Sequence, residues 1–373
     1  MKINILQGAF LPVPPIRGGA IEAAWHKLGQ EFVSQGHEVC HISRLDTGLK
    51  KTEICEGVKY LRVKGANGTK NPYLLKLLEL PYVLRARKVA PPADIVVTHA
   101  FWAPILFPAK SLGKQYVHVG RYPKGQLRFY CKASRLQVPS HSIARACKAQ
   151  APQKTSKVRV LPYPLTWDLD EKPNLEDKRK VVLYAGRLHP EKGVCELLKA
   201  WAKLPSACAK DWILRVIGPW KEEDGGGGRA YLEKLHEIKS KCGKPVELVE
   251  PIFNRSELKE EMKKASFFLY PSMAQRGETF GLSALEAMSC ACVPVVSALD
   301  CFTDFISSGI EGFYLDGAVN DNIQYSIESK LNEILSLPNS TVRKMATSSW
   351  GRAKEYGLKK VAKKYLEDFN SLL

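Results

Sequence analysis

The chain has 373 residues, of which 45% are hydrophobic and 25% are charged, a composition typical of a globular protein. This length allows about two domains with sizeable cores, and no apolar run of 18 or more residues predicts a membrane-spanning helix. The formal net charge is +18, and all of the excess lies in residues 1–165, which hold 26 Lys and Arg against 8 Asp and Glu.

Strand-like and helix-like segments alternate along the chain, as is typical of parallel α/β domains. In the first half, strands are predicted at residues 3–6, 38–42, 60–63, 95–98, 116–119 and 136–139. In the second half, they are predicted at residues 181–185, 213–218, 246–248, 267–270, 293–296 and 312–315. Residues 161–180 are rich in proline and charge and predict a linker, so we place a domain boundary near 165.

The first half carries candidate ligand-binding residues at the junctions of strands with helices. Gly18 and Gly19 open a helix that ends near Gln35, and paired glycines let a backbone approach a ligand closely. His99 and His118 end predicted strands, where parallel sheets bind their ligands. Residues 1–19 predict a first buried strand broken by prolines rather than a signal peptide, which favours a cytoplasmic protein.

The positive charge of the first half predicts an anionic partner. Residues 71–88 place leucines and tyrosines among cations, and Pro81 predicts two short helices there. Their apolar face indicates either packing in the core or contact with a membrane surface. An acidic acceptor is the other candidate partner, whereas nucleic acid is disfavoured because no nucleic-acid-binding motif is present.

One segment of the second half predicts contacts with phosphate, and a second segment offers such contacts only as an alternative. Residues 186–193, GRLHPEKG, directly follow a predicted strand, and Arg187 and Lys192 supply cations for phosphate oxygens. Residues 225–228 are four consecutive glycines. We interpret them as a flexible surface turn, with phosphate contact as the alternative, because the residues before them are largely acidic.

Residues 270–295, YPSMAQRGETFGLSALEAMSCACVPV, predict a strand, a loop and a helix. The helix begins near residues 280–282, so the N–H groups of Phe280, Gly281 and Leu282 would form an anion site. Glu278 and Glu286 stand eight positions apart around this turn, and their carboxylates can accept hydrogen bonds from sugar hydroxyls. A sugar nucleotide offers both kinds of group.

These motifs resemble those of the retaining glycosyltransferases of the GT-B fold, in the large fourth glycosyltransferase family, also called group 1. The resemblance implies an α/β fold of two Rossmann-like parallel-sheet domains that face a cleft. Residues 1–165 would bind the acceptor and residues 166–351 the nucleotide-sugar donor. A C-terminal helix, residues 352–373, would pack back on the first domain.

The resemblance also implies roles for individual residues. Glu278 and His118 would be catalytic, and His99 and Arg121 would contact the acceptor. The donor would be bound by Gly18, Gly19, Arg187, Lys192, Phe280, Gly281, Leu282 and Glu286. No metal or other cofactor is expected, because the sequence places no cluster of metal ligands beside the predicted diphosphate site.

The expected function is transfer of a sugar, with retained configuration, from a UDP- or GDP-linked donor to a saccharide or lipid-linked acceptor. Synthesis of a cell-envelope polysaccharide or lipopolysaccharide is the expected process, in the cytoplasm or on the inner face of the plasma membrane. A nucleotide-sugar epimerase of the same fold and a catalytically dead sugar-nucleotide-binding protein are the alternatives. A dinucleotide-dependent oxidoreductase is disfavoured, since residues 8–19 lack G-x-G-x-x-G.

Overall fold

The structure is a computed structural model that describes residues 1–69, 71–107, 112–169, 173–315 and 322–373. Its contacts divide the chain into two units. The first unit comprises Met1–Thr166 and Tyr356–Leu373, and the second comprises Trp167–Glu355. The C-terminal segment therefore joins the first unit at Tyr356 rather than at the expected residue 352.

The α-helices and strands alternate within the described residues. The helices are α1 (Ala20–Ser34), α2 (Pro72–Val89), α3 (Ala103–Leu106), α4 (His141–Gln150), α5 (Val194–Lys203), α6 (Ser206–Ala209), α7 (Arg229–Ser240), α8 (Arg255–Lys264), α9 (Leu282–Ser289), α10 (Ile323–Leu335), α11 (Asn339–Ala353) and α12 (Leu358–Asn370). The strands are β1 (Lys2–Leu6), β2 (Glu38–Leu45), β3 (Thr52–Cys55), β4 (Val58–Lys64), β5 (Ile95–Thr98), β6 (Lys114–His118), β7 (Ala133–Val138), β8 (Val158–Val160), β9 (Arg179–Ala185), β10 (Ile213–Ile217), β11 (Val246–Val249), β12 (Ala265–Tyr270), β13 (Val293–Ser297) and β14 (Phe313–Leu315).

Among the described residues, the first unit forms an eight-stranded sheet in the order β3-β4-β2-β1-β5-β6-β7-β8. All of its neighbours are parallel except β3 and β4. The sequence did not predict β3 and β8, because both are short edge strands whose side chains are largely outside the core. The strand order changes direction between β1 and β5. A crevice is expected beyond the carboxyl ends of two such strands.

The last helix belongs to the core of the first unit. Helix α12 carries Val361, Tyr365 and Phe369 at four-residue spacing, so they share one buried face. The Tyr365 ring meets the Trp25 ring of α1 edge-on, with centroids 5.1 Å apart. The expected helix from residue 352 thus begins at Leu358, because residues up to Ala353 continue α11 of the second unit.

The second unit forms a parallel sheet of six described strands in the order β11-β10-β9-β12-β13-β14. This is the doubly wound order 3-2-1-4-5-6, whose switch point lies between β9 and β12. Ligands of such sheets bind beyond the carboxyl ends of the two strands at the switch point. The segments that follow those strands are residues 186–193 and 271–281, the two predicted phosphate-contacting segments.

Helix α2 is continuous, which corrects the predicted break at Pro81. Pro81 lies on the exposed face of the helix, where water can bond the carbonyl group that loses its N–H partner. Tyr82, Val83 and Ala86 are buried on the opposite face. None of the described helices combines the length and the apolarity needed to cross a membrane.

Candidate functional site

The segment after β9 places two cations at the switch point of the second unit. The hydroxyl of Tyr184 donates to the carbonyl oxygen of Arg187 over 2.8 Å and holds the start of the segment. Arg187 is partly exposed, whereas Lys192 is buried. The segment ends at Gly193, whose φ is 71° and where a Cβ atom would lie 2.2 Å from the carbonyl oxygen of Pro271. A glycine is therefore required for this close approach to the neighbouring segment.

Lys192 and Glu278 form a buried ion pair, with 2.7 Å between Nζ and Oε2. The Tyr270 hydroxyl donates to the same carboxylate oxygen over 3.1 Å. Burial and the charge of Glu278 raise the pKa of Tyr270 well above its usual range, so the phenol is a neutral donor. Among the described residues, Oε1 of Glu278 has no hydrogen-bond partner and can accept a bond from a ligand.

Helix α9 begins four residues after Glu278. The N–H groups at the start of its first turn have no carbonyl acceptor within the helix. Gly281 precedes the helix with a φ of 84°, and a Cβ atom there would lie 2.2 Å from the Phe302 ring. The backbone N–H of Met273 donates to the carbonyl oxygen of Glu191 over 2.8 Å and joins the two segments of the switch point. Arg187, Lys192, Glu278 and residues 280–282 thus belong to one connected site.

Glu286 lies apart from that ion pair, on the buried side of α9. Its carboxylate bonds the guanidinium group of Arg255. Arg255 also covers the Trp167 ring, 4.7 Å from its centroid, and the Trp167 indole donates to Ser289 Oγ over 2.9 Å. This arrangement holds the buried Glu286 carboxylate in place, with the Arg255 guanidinium group as its partner.

In the first unit, both ring nitrogens of His118 bond protein groups. Nδ1 meets the Gln137 side-chain oxygen, and Nε2 lies 2.8 Å from the Tyr163 hydroxyl. The Gln137 amide nitrogen donates to Leu161, which leaves its oxygen to accept from Nδ1–H of His118. Nε2 is then the acceptor for Tyr163. A ligand would have to displace Tyr163 to reach this nitrogen.

The other first-unit candidates lie in the segments that follow β1, β5 and β6. The His99 ring lies 4.8 Å from the His118 ring, and its nitrogens have no partner among the described residues. Gly18 and Gly19 precede α1 with positive φ angles, and a Cβ atom on Gly19 would meet the Glu22 carboxylate at 2.3 Å. Arg121 is exposed, and its charge lowers the pKa of Glu22 against the larger effect of burial.

Glu79 is a buried carboxylate that the sequence analysis did not identify. It accepts the backbone N–H of Phe101 over 2.8 Å. Burial raises its pKa to about 7, although Arg121 and Lys76 oppose this effect. The sequence analysis also did not name Tyr270, Glu191, Gly225 or Arg255 as site residues. Each contacts a predicted residue through the fold, and no sequence pattern pairs them.

Among the described residues, no group of three or more His, Cys, Asp or Glu side chains could hold a metal ion.

The buried histidines predict acid sensitivity of the first unit. Burial lowers the pKa of His26 and His118 to about 4 and that of His41 to about 3, and it also lowers the pKa of His99. The unfolded chain therefore takes up protons first as pH falls below about 6.5. Each histidine should remove about 1.4 kcal/mol of stability per pH unit down to its folded-state pKa. Glu22 and Glu79 have raised pKa values, so above about pH 4.5 they increase the stability as pH falls. These two groups do not cancel the loss of stability from the four histidines.

Chemical unfolding of the full chain between pH 7 and pH 4 tests this prediction. His41→Gln should make the pH dependence of stability shallower by about 1.4 kcal/mol per pH unit. The matched control is His236→Gln, which changes an exposed histidine of the second unit. Identical pH slopes for the His41 variant and the wild type would contradict the assignment.

The comparisons with known proteins agree with this geometry. Residues 166–347 match the family model described as glycosyl transferases group 1. The chain is 24% identical over 188 residues to the lipopolysaccharide 1,2-N-acetylglucosaminetransferase of Salmonella typhimurium, covering 47% of this chain and 46% of that protein. It is 29% identical over 174 residues to a D-inositol 3-phosphate glycosyltransferase of Mycobacterium sp. strain KMS, covering 46% and 36%. The chain thus spans less than half the length of these relatives.

Solved structures show the same fold at low identity. HepE from Anabaena, solved with UDP and glucose, has a TM-score of 0.76 at 17% identity and covers all of both chains. Sucrose-phosphate synthase from Thermosynechococcus elongatus has a TM-score of 0.77 at 16% identity, with coverage of 100% and 99%. The two parallel-sheet units therefore form a GT-B fold, as predicted. The family match over residues 166–347, which make up nearly all of the second unit, places that unit among the group 1 glycosyl transferases.

Proposed function

We propose that this chain is a retaining glycosyltransferase that needs no metal. It transfers a sugar from a UDP- or GDP-linked donor to a saccharide or lipid-linked acceptor, in synthesis of a cell-envelope polysaccharide or lipopolysaccharide. The second unit binds the donor, and the first unit binds the acceptor. The lipopolysaccharide transferase among the relatives supports the cell-envelope assignment.

One observation carries the proposal: the buried contact of Lys192 with Glu278 at the switch point, between the Arg187 segment and the first turn of α9. A lysine, an arginine and the N–H groups at a helix N-terminus suit a diphosphate. A carboxylate with one oxygen held and one available suits a sugar hydroxyl. These two ligand chemistries occur together in a nucleoside diphosphate sugar.

The chemistry follows from the charges. When the bond from sugar to phosphate breaks, negative charge develops on the diphosphate, and Arg187, Lys192 and the N–H groups of α9 stabilise it. Glu278 orients the sugar through Oε1 and stabilises positive charge at the anomeric carbon. Glu286 binds the nucleotide ribose. The departing phosphate helps to deprotonate the acceptor hydroxyl on the same face of the sugar, which retains the configuration.

The first unit supplies the acceptor contacts. In this proposal Arg121 and His99 contact the acceptor, whereas the backbone at Gly18 and Gly19 faces the donor. His118 belongs to the catalytic set in this proposal, and its burial keeps the imidazole neutral near pH 7, with a pKa of about 4. It therefore acts as a hydrogen-bonding group once Tyr163 releases Nε2.

Donor screening tests the proposed activity. The purified chain should hydrolyse or transfer from one of UDP-glucose, UDP-N-acetylglucosamine or GDP-mannose, and the product should keep the anomeric configuration by NMR. EDTA should leave the rate unchanged. Inverted product, or activity that requires an added divalent metal, would contradict the mechanism.

Two alternatives use the same donor site. An epimerase would convert the nucleotide sugar without an acceptor, and a catalytically dead protein would bind nucleotide without turnover. Product analysis distinguishes the first, and nucleotide binding without any donor cleavage would indicate the second. Transfer is favoured because the glutamate pair and the GRLHPEKG segment fit transferases better, and the matched relatives are transferases.

Helix α2 supports contact with an anionic membrane surface. Tyr73, Leu74 and Leu77 expose 77%, 42% and 63% of their surface. Arg87 and Lys88 lie in the last turn of the same helix. Exposed apolar side chains with nearby cations are typical of helices that lie in a membrane interface. The excess positive charge of residues 1–165 adds long-range attraction to anionic lipid.

Liposome flotation tests this surface. Binding should require anionic lipid and should fall with added salt, because charges further apart than about 8 Å are screened at 0.15 M. Leu77→Ser with Arg87→Ser should weaken it. Lys234→Ser with Lys239→Ser, on α7 of the second unit, is the control. Equal recovery with neutral and anionic liposomes, or no recovery with either, would overturn the membrane assignment.

A further inference from the structure

Residues 221–228, here called the glycine loop, connect β10 to α7 and contact the Arg187 segment. The backbone N–H of Gly227 donates to the carbonyl oxygen of Leu188 over 2.8 Å. The N–H of Leu188 donates in turn to Pro219, just before the loop, over 2.9 Å. The glycine loop is therefore attached to the segment that carries Arg187.

The four glycines lie in the predicted turn, which is closed by hydrogen bonds. Gly225 and Gly228 have φ angles of 81° and 83°. A Cβ atom on Gly226 would lie 2.2 Å from the Trp220 carbonyl group. The N–H groups of Gly226 and Gly228 bond Lys221 and Trp220 at 2.8 Å each. These positions need glycine for backbone conformation or space, so the loop is ordered by its own hydrogen bonds.

The loop also binds the Arg187 side chain directly. Nη1 of Arg187 donates to the carbonyl oxygen of Gly225 over 2.8 Å, and Nη2 donates to Glu191 over 2.8 Å. A guanidinium group has five N–H donors in a planar fork. Two are used by these acceptors, which leaves three N–H groups in a fixed plane for a ligand.

We propose that the glycine loop positions Arg187 for the diphosphate of the donor, with Gly225 as the positioning residue. The inference rests on the proposed function, in which Arg187 binds phosphate. Because the Arg187 guanidinium group is already held in place, it loses less side-chain entropy when the ligand binds. The loop therefore raises the affinity for nucleoside diphosphates without contacting them.

A double-mutant cycle tests this coupling. Wild type, Gly225→Ala, Arg187→Ala and the double variant are titrated with UDP, GDP and ADP by calorimetry, and the tightest-binding nucleotide is compared. A Cβ atom on residue 225 would lie 3.0 Å from Cδ of Arg187 and would displace the fork. Gly225→Ala should weaken binding about fivefold, and Arg187→Ala about tenfold or more. In the Arg187→Ala background, Gly225→Ala should have no further effect.

Two variants separate positioning from strain. Gly309→Ala is the control, because Gly309 has a φ of 82° and nothing within 4 Å of an added Cβ atom, and it should bind like the wild type. Gly225→Asn adds a Cβ atom with less strain at positive φ, so it should reproduce the loss even if the alanine variant folds poorly.

Two results would overturn the inference: wild-type affinity in both Gly225 variants, or an equal loss from Gly225→Ala in both backgrounds. Wild-type affinity in Arg187→Ala, or no binding of any nucleotide to the wild type, would instead overturn the proposed diphosphate site.

Discussion

Replacing Glu278 with glutamine is expected to lower turnover about 100-fold or more. The glutamine keeps the shape and the hydrogen bonds to Lys192 and Tyr270, but it removes the negative charge that stabilises the sugar as its bond to phosphate breaks. Affinity for the nucleoside diphosphate should stay unchanged or increase, because Lys192 loses a competing carboxylate. Steady-state kinetics together with calorimetry measure the two effects separately.

Glu286→Gln is the matched comparison, since this glutamate is also buried and paired with a cation. It should weaken nucleotide binding more than it lowers turnover, because its proposed contact is with the ribose. Turnover of the Glu278 variant within threefold of the wild type would contradict its catalytic role, as would the same pattern in both variants.

Asp368→Ala is expected to destabilise the first unit by about 3–5 kcal/mol. Asp368 is buried on α12 and lies 2.8 Å from both the Tyr116 hydroxyl and the Arg135 guanidinium group. Its removal leaves a largely buried arginine without its carboxylate partner. Since α12 packs on α1, we expect loss of the C-terminal helix from the core. Chemical unfolding followed by tryptophan fluorescence measures the change.

The neighbouring Glu367→Ala provides the control, because Glu367 is exposed on the same helix and its removal should change stability by less than about 0.5 kcal/mol. Equal unfolding midpoints for the two variants would show that the buried ion pair does not hold α12 in place.

The sequence predicted much of the second unit because its signals are local. Residues 181–185 of β9 and most of β12 and β13 are apolar, as is typical of parallel strands that are covered on both faces. Helix α9 starts where the glycine and the following apolar periodicity place it. The resemblance of these motifs to those of a known family predicted the GT-B fold, and the comparisons confirmed it.

Edge strands and helix ends were predicted less well. Strand β3 has only four residues and none of them is buried, so it leaves no apolar periodicity to detect. Pro81 was expected to break α2, yet the helix continues because the proline lies on the solvent side. The sequence shows which residue is present, whereas the tertiary structure determines which side of the helix it occupies.

By itself, the sequence determined the alternation of strands and helices, the imbalance of charge and the residue types available for phosphate and sugar. Only the tertiary structure decided which of them meet. Lys192 and Glu278 are 86 positions apart, Arg187 and Gly225 are 38 apart, and Tyr116 and Asp368 are 252 apart. Such pairs leave no periodic signal along the chain, because the contacts form when strand order and helix packing bring distant segments together.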